Sequence, residues 1–338
     1  MGSTKVCVVG CGYWGKNLVR TFSSLDRLYG LCDADPDRLK TLADLHACSK
    51  TFAEYESVLN DPEVTAVALS TPAESHCELA RAALLAGKHV FVEKPLALDW
   101  QDGLEMTAMA RDRNRVLMVG HLLQYHPAVV RLQQLVAAGV LGRIEYLYSN
   151  RLSMGKIRRE ENALWSFAPH DISVILSLVG QTPCQVVATG GAYLQPNVAD
   201  VTMSNLLFDR GTRAHVFVSW LHPYKEQRLV VIGTKKMAVF EDTRADRKLM
   251  LFHKHVELRN GALEAAKPEA TVVEFEPTEP LLVECGHFLD CIEQKTQPKT
   301  PGEEGVQVLK VLQACQLSLQ LNGEPVQVTQ IPQRVMAL

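Results

Sequence analysis

KVCVVGCGYWGKNLVRTF, residues 5–22, decides the reading of the fold. Val6 to Val9 make a short run of strand-forming apolar residues. Gly10, Gly12 and Gly15 follow as GxGxxG, and Leu18, Val19 and Phe22 then recur at the spacing of a helix face. Each glycine has a physical task in a strand-to-helix turn that holds a dinucleotide. Gly10 permits the tight turn, Gly12 lets a pyrophosphate approach the backbone, and Gly15 lets the helix pack close to the strand. The unpaired N–H groups of the helix N-terminus then face the phosphates, with Tyr13 and Trp14 carried on the same loop.

Working outward, LYGLCD is a second strand that ends in Asp33. That acid lies about 20 residues beyond the glycines, where a carboxylate accepts from the adenosine ribose hydroxyls. Ala34 follows it rather than an arginine, which favours NAD over NADP, although Arg38 lies within reach on the next helix. VTAVALSTP reads as a buried strand, ELARAALLAGK as a helix stopped by Gly87, HVFVEKP as a strand, residues 99–113 as a helix and VLMVGH as a further strand. Strands alternating with helices predict a parallel sheet with right-handed crossovers, with ligands gathered at the carboxyl ends of the strands. Those ends carry Gly10–Gly15, Asp33, Ser70–Thr71–Pro72, Glu93–Lys94–Pro95 and Gly120–His121.

At 338 residues the chain suits two domains. The expected division is 1–122 for the dinucleotide domain and 123–338 for a substrate-binding and oligomerisation domain. A net charge of -3 and the lack of any Lys/Arg-rich run argue against nucleic acid or an acidic membrane as partner. No apolar run reaches the roughly 20 residues that span a bilayer, and the opening residues lack a signal-peptide layout. The nine cysteines include no CxxC and no HExxH accompanies them, so no metal is expected. They read as small buried hydrophobes of a reducing cytoplasm.

From about residue 123 the texture changes. HPAVVRLQQLVAAGVLG predicts an amphipathic helix and RIEYLYSNRLSM an alternating strand. The runs TMSNLLFD, TRAHVFVSWL, RLVVIGT and KMAVFED predict hairpin-linked strands, with DRGTR as one turn. LLVECGHFLDCIEQK and EEGVQVLKVLQACQLSLQ predict two closing helices. Between them lies NALWSFAPHDISVIL, residues 162–176, where Pro169–His170–Asp171 reads as a helix start. His170 also suits general-base work, because an imidazole with a pKa near 6.5 accepts a hydroxyl proton around neutrality. Asp171 points elsewhere if both are helical, since neighbours are about 100° apart.

STPAESHCELARAALLAGKHVFVEKPLAL, with its TPxxxH, AGKHVxxEKP and upstream GxGxxG, resembles the glucose-fructose oxidoreductase / inositol dehydrogenase / rhizopine-catabolism (Gfo/Idh/MocA) family over essentially the whole chain. The resemblance implies an α/β fold: an N-terminal Rossmann parallel sheet, then a C-terminal α/β domain with a large open, mainly antiparallel sheet. It makes Lys94 the substrate-facing lysine, puts Glu93 near the nicotinamide, and implies a cis Lys94–Pro95 bond. It sets His76 against the adenosine side of the cofactor. A lysine in that place can stabilise a developing alkoxide. The family's aspartate four residues before its histidine falls on Ser166 here. What backs His170 is therefore open between Ser166, Asp171, solvent and Lys94.

GYWGKN, RREENALWSFAPHDI and VSWLHPYKEQRLVVIGT further resemble the branch of nucleotide-sugar 3-dehydrogenases. That implies oxidation of the 3-hydroxyl of UDP-N-acetylglucosamine by NAD, beside a pyridoxal-phosphate aminotransferase in amino-sugar synthesis for lipid A or surface polysaccharide. Arg151, Lys156, Arg158 and Arg159 supply cations for a diphosphate, or form an ordinary charged loop with Glu160 and Glu161. Tyr125 and Trp165 could stack on sugar or uracil, or simply pack, and Asn162 opens the same stretch. His222 and Tyr224 are weaker candidates. Alternatives are the corresponding uronate, a free polyol such as inositol, and a non-catalytic NAD- or sugar-sensing regulator. An open sheet must also cover its second face, which implies dimers or tetramers.

Overall fold

The computed structural model describes residues 4–332 apart from 156, 160, 254–255, 260–261 and 266–269. Lys156 and Glu160, among the cations and acids considered above, therefore lie outside the described residues. The chain forms two compact units: one runs to Tyr125 and takes in Thr278–Leu309, and the other comprises His126–Pro277 and the residues from Lys310 on.

In the first unit the apolar run becomes β1 (Val6–Val9), buried along its whole length because both faces of a parallel sheet are covered. There follow α1 (Gly15–Ser24), β2 (Leu28–Cys32), α2 (Pro36–Leu45), β3 (Thr51–Phe52), α3 (Tyr55–Asn60), β4 (Ala66–Leu69), α4 (Ala73–Leu85), β5 (His89–Glu93), α5 (Trp100–Asp112) and β6 (Leu117–Gly120). The strands pair in parallel in the order β3-β2-β1-β4-β5-β6. The order reverses between β1 and β4, so a crevice opens beyond their carboxyl ends, where such sheets bind ligands. Local chemistry sets the helix starts. Asp35 caps α2 by accepting from the amides of Asp37 and Arg38, with Pro36 at the first helical position.

The second unit begins with α6 (Pro127–Ala137), β7 (Ile144–Leu152) and α7 (Ala163–Val179). Next come β8 (Gln185–Gly191), β9 (Val201–Leu207), β10 (Arg213–Ser219), β11 (Glu226–Gly233), β12 (Lys236–Glu241), β13 (Leu249–His253), β14 (Val256–Arg259), β15 (Ala262–Ala265) and β16 (Ala270–Val272). The chain closes through α8 (Pro280–Gln294), α9 (Gly302–Gln320) and β17 (Val326–Gln327). Nine strands form one sheet in the order β16-β13-β12-β11-β7-β10-β9-β8-β17. It is antiparallel except where β10 runs parallel to β7, so the sheet is mixed, though mainly antiparallel. The DRGTR turn joins β9 to β10, with Arg210 and Gly211 at φ of 65° and 89°.

Two readings are corrected by these elements. Pro169–His170–Asp171 does not start a helix: α7 begins seven residues before His170, capped by the Asn162 side chain, and Pro169 sits inside it. A single cut at 122/123 would also assign Thr278–Leu309 to the second domain, whereas they are part of the first compact unit. There α8 packs against α1 and against the turn Leu122–Tyr125. Among the described residues no helix is long and apolar enough to cross a membrane, and no group of three or more His, Cys, Asp or Glu could hold a metal ion.

Candidate functional site

The crevice at the end of β1 is shaped by what its glycines leave out. Gly10 turns at φ +82°, and a Cβ there would lie 2.8 Å from the Thr71 backbone nitrogen. One on Gly15 would lie 1.9 Å from the Gly10 carbonyl oxygen. Gly12 is different: a Cβ would meet nothing within 4 Å, so the position opens onto free space. Ser70 fastens the turn by donating from Oγ to the Gly10 carbonyl at 2.6 Å. A pyrophosphate fits this cradle, with backbone close on one side and open space at Gly12.

Asp33, the acid expected to meet the adenosine ribose, stands just beyond the end of β2. Its carboxylate accepts from the Cys11 amide at 2.7 Å, the Asp35 amide at 2.9 Å and Arg38 Nη1 at 2.8 Å. Burial alone would raise its pKa, but these amides and the guanidinium together hold it below the ordinary carboxylate value. Asp33, Arg38, Thr71, Pro72, Gly10 and Gly12 line one concave pocket. Arg38 also pairs with Asp35 at 3.0 Å, so its charge is turned onto two acids. Replacing Asp33 by serine is expected to weaken NAD binding and to free Arg38 for a 2′-phosphate. The preference between NAD and NADP should move toward NADP by about ten- to a hundred-fold, the worth of one charge-assisted hydrogen bond. Cofactor titrations of the variant check this, and an unchanged preference would refute it.

The remaining predicted cofactor residues divide into exposed and structural. Tyr13 is exposed, with Lys16 Nζ 5.6 Å from its ring centroid. Trp14 turns inward and its indole N–H donates to the Glu93 carboxylate at the end of β5. His76 is buried, and its ring nitrogens lie 2.8 Å from the Pro95 carbonyl and 2.9 Å from that of Thr71. It therefore ties the turn after β4 to the turn after β5. Burial lowers its pKa. His121 is buried against Glu304, Nδ1 to Oε2 at 2.6 Å. The Lys94–Pro95 bond is cis, and Lys94 is half-buried at the strand end. Tyr125, read as a possible stacking platform, is buried, with its hydroxyl 3.0 Å from Thr300 Oγ1.

In the second unit α7 presents His170 one turn after Ser166 on the same face. Asp171 faces β7 instead. It accepts from Ser149 Oγ at 2.6 Å and from Arg151, whose Nε lies 2.5 Å and Nη2 3.2 Å away. Burial works against the Arg151 charge, yet Asp171 beside it leaves the guanidinium pKa raised. Arg151, read as a diphosphate cation, is thus engaged by an internal acid. Arg158 is more open and pairs with Glu161 at 3.1 Å, and Arg159 is exposed. Asn162 and Trp165 have structural surroundings. The Asn162 amide donates to Gln316 Oε1 at 2.8 Å, and Trp165 has no exposed surface, its Nε1 lying 3.3 Å from the same oxygen.

One group was missed entirely. Glu284 on α8 is wholly buried, and no hydrogen-bond partner for either of its oxygens is found among the described residues. Leu281, Glu284, Cys285 and Phe288 are spaced i, i+3, i+4, i+7, so the helical period already puts this acid on the apolar face.

Comparison with known proteins adds to this geometry. Residues 4–121 match the oxidoreductase family with an NAD-binding Rossmann fold, GFO_IDH_MocA, and residues 129–239 match the GFO/IDH/MocA C-terminal domain. The chain is 28% identical over 283 residues to UDP-N-acetylglucosamine 3-dehydrogenase of Acidithiobacillus ferrooxidans, covering 80% of this chain and 85% of that one. A solved structure of that enzyme, GnnA, superposes with a TM-score of 0.85 at 25% identity, covering 95% of this chain and 99% of the other. An inositol 2-dehydrogenase/D-chiro-inositol 3-dehydrogenase of Lactiplantibacillus plantarum is 33% identical over 146 residues, 41% of each chain. Levoglucosan dehydrogenase, solved with NADH and levoglucosan, shares the fold with a TM-score of 0.84 at 21% identity, covering 97% of this chain and 100% of the other.

Proposed function

The chain belongs to the Gfo/Idh/MocA family of NAD-binding oxidoreductases, and from that premise we propose that it oxidises the 3-hydroxyl of UDP-N-acetylglucosamine to the 3-oxo sugar. The observation that carries the substrate is the likeness to UDP-N-acetylglucosamine 3-dehydrogenase, which extends over 80% of this chain. Bound NAD supplies the hydride acceptor. Gly10, Gly12 and Gly15 seat its pyrophosphate, Asp33 takes the adenosine ribose, and Glu93 lies toward the nicotinamide.

In this reading His170 accepts the proton of the 3-hydroxyl as the C–H hydride leaves, and Lys94 stabilises the oxygen while its charge builds. Ser166, one turn before the histidine on the same helix face, orients it in this reading, since Asp171 is engaged by Arg151 and Ser149. Arg158, half-buried beside Glu161, and the exposed Arg159 meet the diphosphate. Copies of the chain pair through the open sheet of the second unit, and a pyridoxal-phosphate aminotransferase takes up the ketone.

The test is reduction of NAD across a panel of UDP-N-acetylglucosamine, its uronate, inositol and other free polyols. NADH formed with UDP-N-acetylglucosamine, in preference to the others, is the expected result. Turnover of the uronate or of a polyol alone would move the substrate within the family, and turnover of none despite NAD binding would leave a sensor rather than an enzyme.

A further inference from the structure

The first helix of the cofactor turn opens without a side-chain cap. Trp14 holds the N-cap position of α1, at φ -92° and ψ -40°, and its side chain accepts from none of the first amides. Serine, threonine, asparagine or aspartate is the usual choice there. The amides so left open suit the cofactor phosphates, and the indole has another task. It packs against the core of the first unit, and its N–H donates to the Glu93 carboxylate at the end of β5.

Glu93 has a seat for this contact. The acid is 8% exposed and lies over Gly120, its register partner on β6. A Cβ at Gly120 would come within 3.0 Å of Oε2 and 3.2 Å of Oε1, so a side chain there would push the carboxyl aside. An indole N–H donates and cannot accept. It therefore favours the ionised carboxylate over the acid, and a buried carboxylate needs such a donor.

We propose that Trp14 is a positioning residue: its bond to Glu93 ties the pyrophosphate turn to the Glu93–Lys94 end of β5, so that seating the cofactor phosphates and setting the substrate-facing end are coupled. The inference rests on the cofactor seat of the proposed function and not on which sugar is oxidised. Gly12 to Gly15 form one short turn, so phosphates that fix the turn also fix the indole, and the indole fixes the carboxylate next to Lys94. The surroundings agree. Burial pushes Glu93 up to about 7, and Trp14 leads the groups that pull it back, ahead of the Lys94 charge, the Lys94 amide and His121. The other ionisable groups around it are Glu304, paired with His121 at 2.6 Å, and Glu284 on α8.

Two measurements on the whole protein test the tie. The first follows the indole N–H resonances of isotope-labelled tryptophan against pH, without sugar. The Trp14 resonance, identified by its loss in Trp14→Phe, is expected to lie downfield and to titrate with a midpoint of about 7. It should be flat in Glu93→Gln, which keeps an acceptor but has no proton to lose. Saturating NAD should lower the midpoint, and by reciprocity NAD affinity should rise as pH climbs through it. Gly120→Ala, which displaces the carboxyl with Trp14 in place, should move the resonance upfield. The second measurement compares Trp14→Phe, which keeps an apolar ring and drops the donor, with the native protein. The rise of its NAD affinity should move to higher pH, because Glu93 has lost its donor. Its turnover near neutrality, with whichever sugar of the panel reduces NAD fastest, should fall about ten- to a hundred-fold, the worth of one hydrogen bond to a charged group. A Trp14 resonance that does not titrate, or titrates alike with and without NAD, would overturn the coupling. So would native turnover and a native pH profile in Trp14→Phe. A native protein that turned over no sugar would refute the proposed substrate alone, and the indole measurement would still decide the tie.

Discussion

Lys94→Ala is expected to cut turnover by about a hundred- to a thousand-fold while leaving NAD bound. The magnitude is that of removing one preorganised group that faces a developing oxyanion. The reasons for expecting the separation of binding from turnover are local. The cradle expected to hold the pyrophosphate is built from Gly10, Gly12, Gly15 and Ser70, and the acid expected to meet the ribose is Asp33, at the ends of β1, β4 and β2 rather than of β5. His76 holds the turn after β5 through the Pro95 carbonyl, so the backbone of the site does not depend on the lysine either. Stopped-flow measurement of hydride transfer, beside fluorescence titration of NADH, separates the two. Full turnover by Lys94→Ala would remove the lysine from the chemistry, whereas lost NADH binding would make it a cofactor residue instead.

The first unit was legible in the sequence because of where it buries its strands. A parallel sheet covered on both faces is encoded as uninterrupted apolar runs, and the residues that break those runs fall at the ligand end. Val6–Val9, Ala66–Leu69 and His89–Glu93 follow that rule, and Asp33, Thr71 and Lys94 are the breaks. The elements passed over, β3 and α3, are short, with two and six residues.

The second unit was less legible, for three physical reasons. A proline favours the first turn of a helix, so Pro169 suggested a boundary, yet here it lies inside α7. Alternation along β7 does not tell which cation meets an acid on the other layer, so the Arg151–Asp171 pair was invisible. Trp165 and Tyr125 look alike as lone aromatics in sequence whether they stack on a ligand or fill a core, and both are buried. Glu284 was overlooked because sequence separation hides that α8 belongs with the Rossmann sheet.

Asp171→Ala should be the most destabilising single change in the second unit, at about 3–5 kcal/mol. It leaves the Arg151 guanidinium, with 13% of its side chain exposed, without the acid that holds Nε and Nη2, and it removes the acceptor of Ser149. Chemical denaturation of the whole protein checks the magnitude. Adding Arg151→Met to Asp171→Ala should recover part of the loss, since the stranded charge goes with its partner and the double variant costs less than the sum of the singles. The variants also decide what stands behind His170. With Asp171 as an anchor between α7 and β7, the stability loss comes first, and folded Asp171→Ala keeps the pH dependence of turnover that His170 sets. A variant of native stability whose turnover lost that pH dependence would instead make Asp171 the histidine's partner, the role Ser166 otherwise inherits from its place on the same helix face.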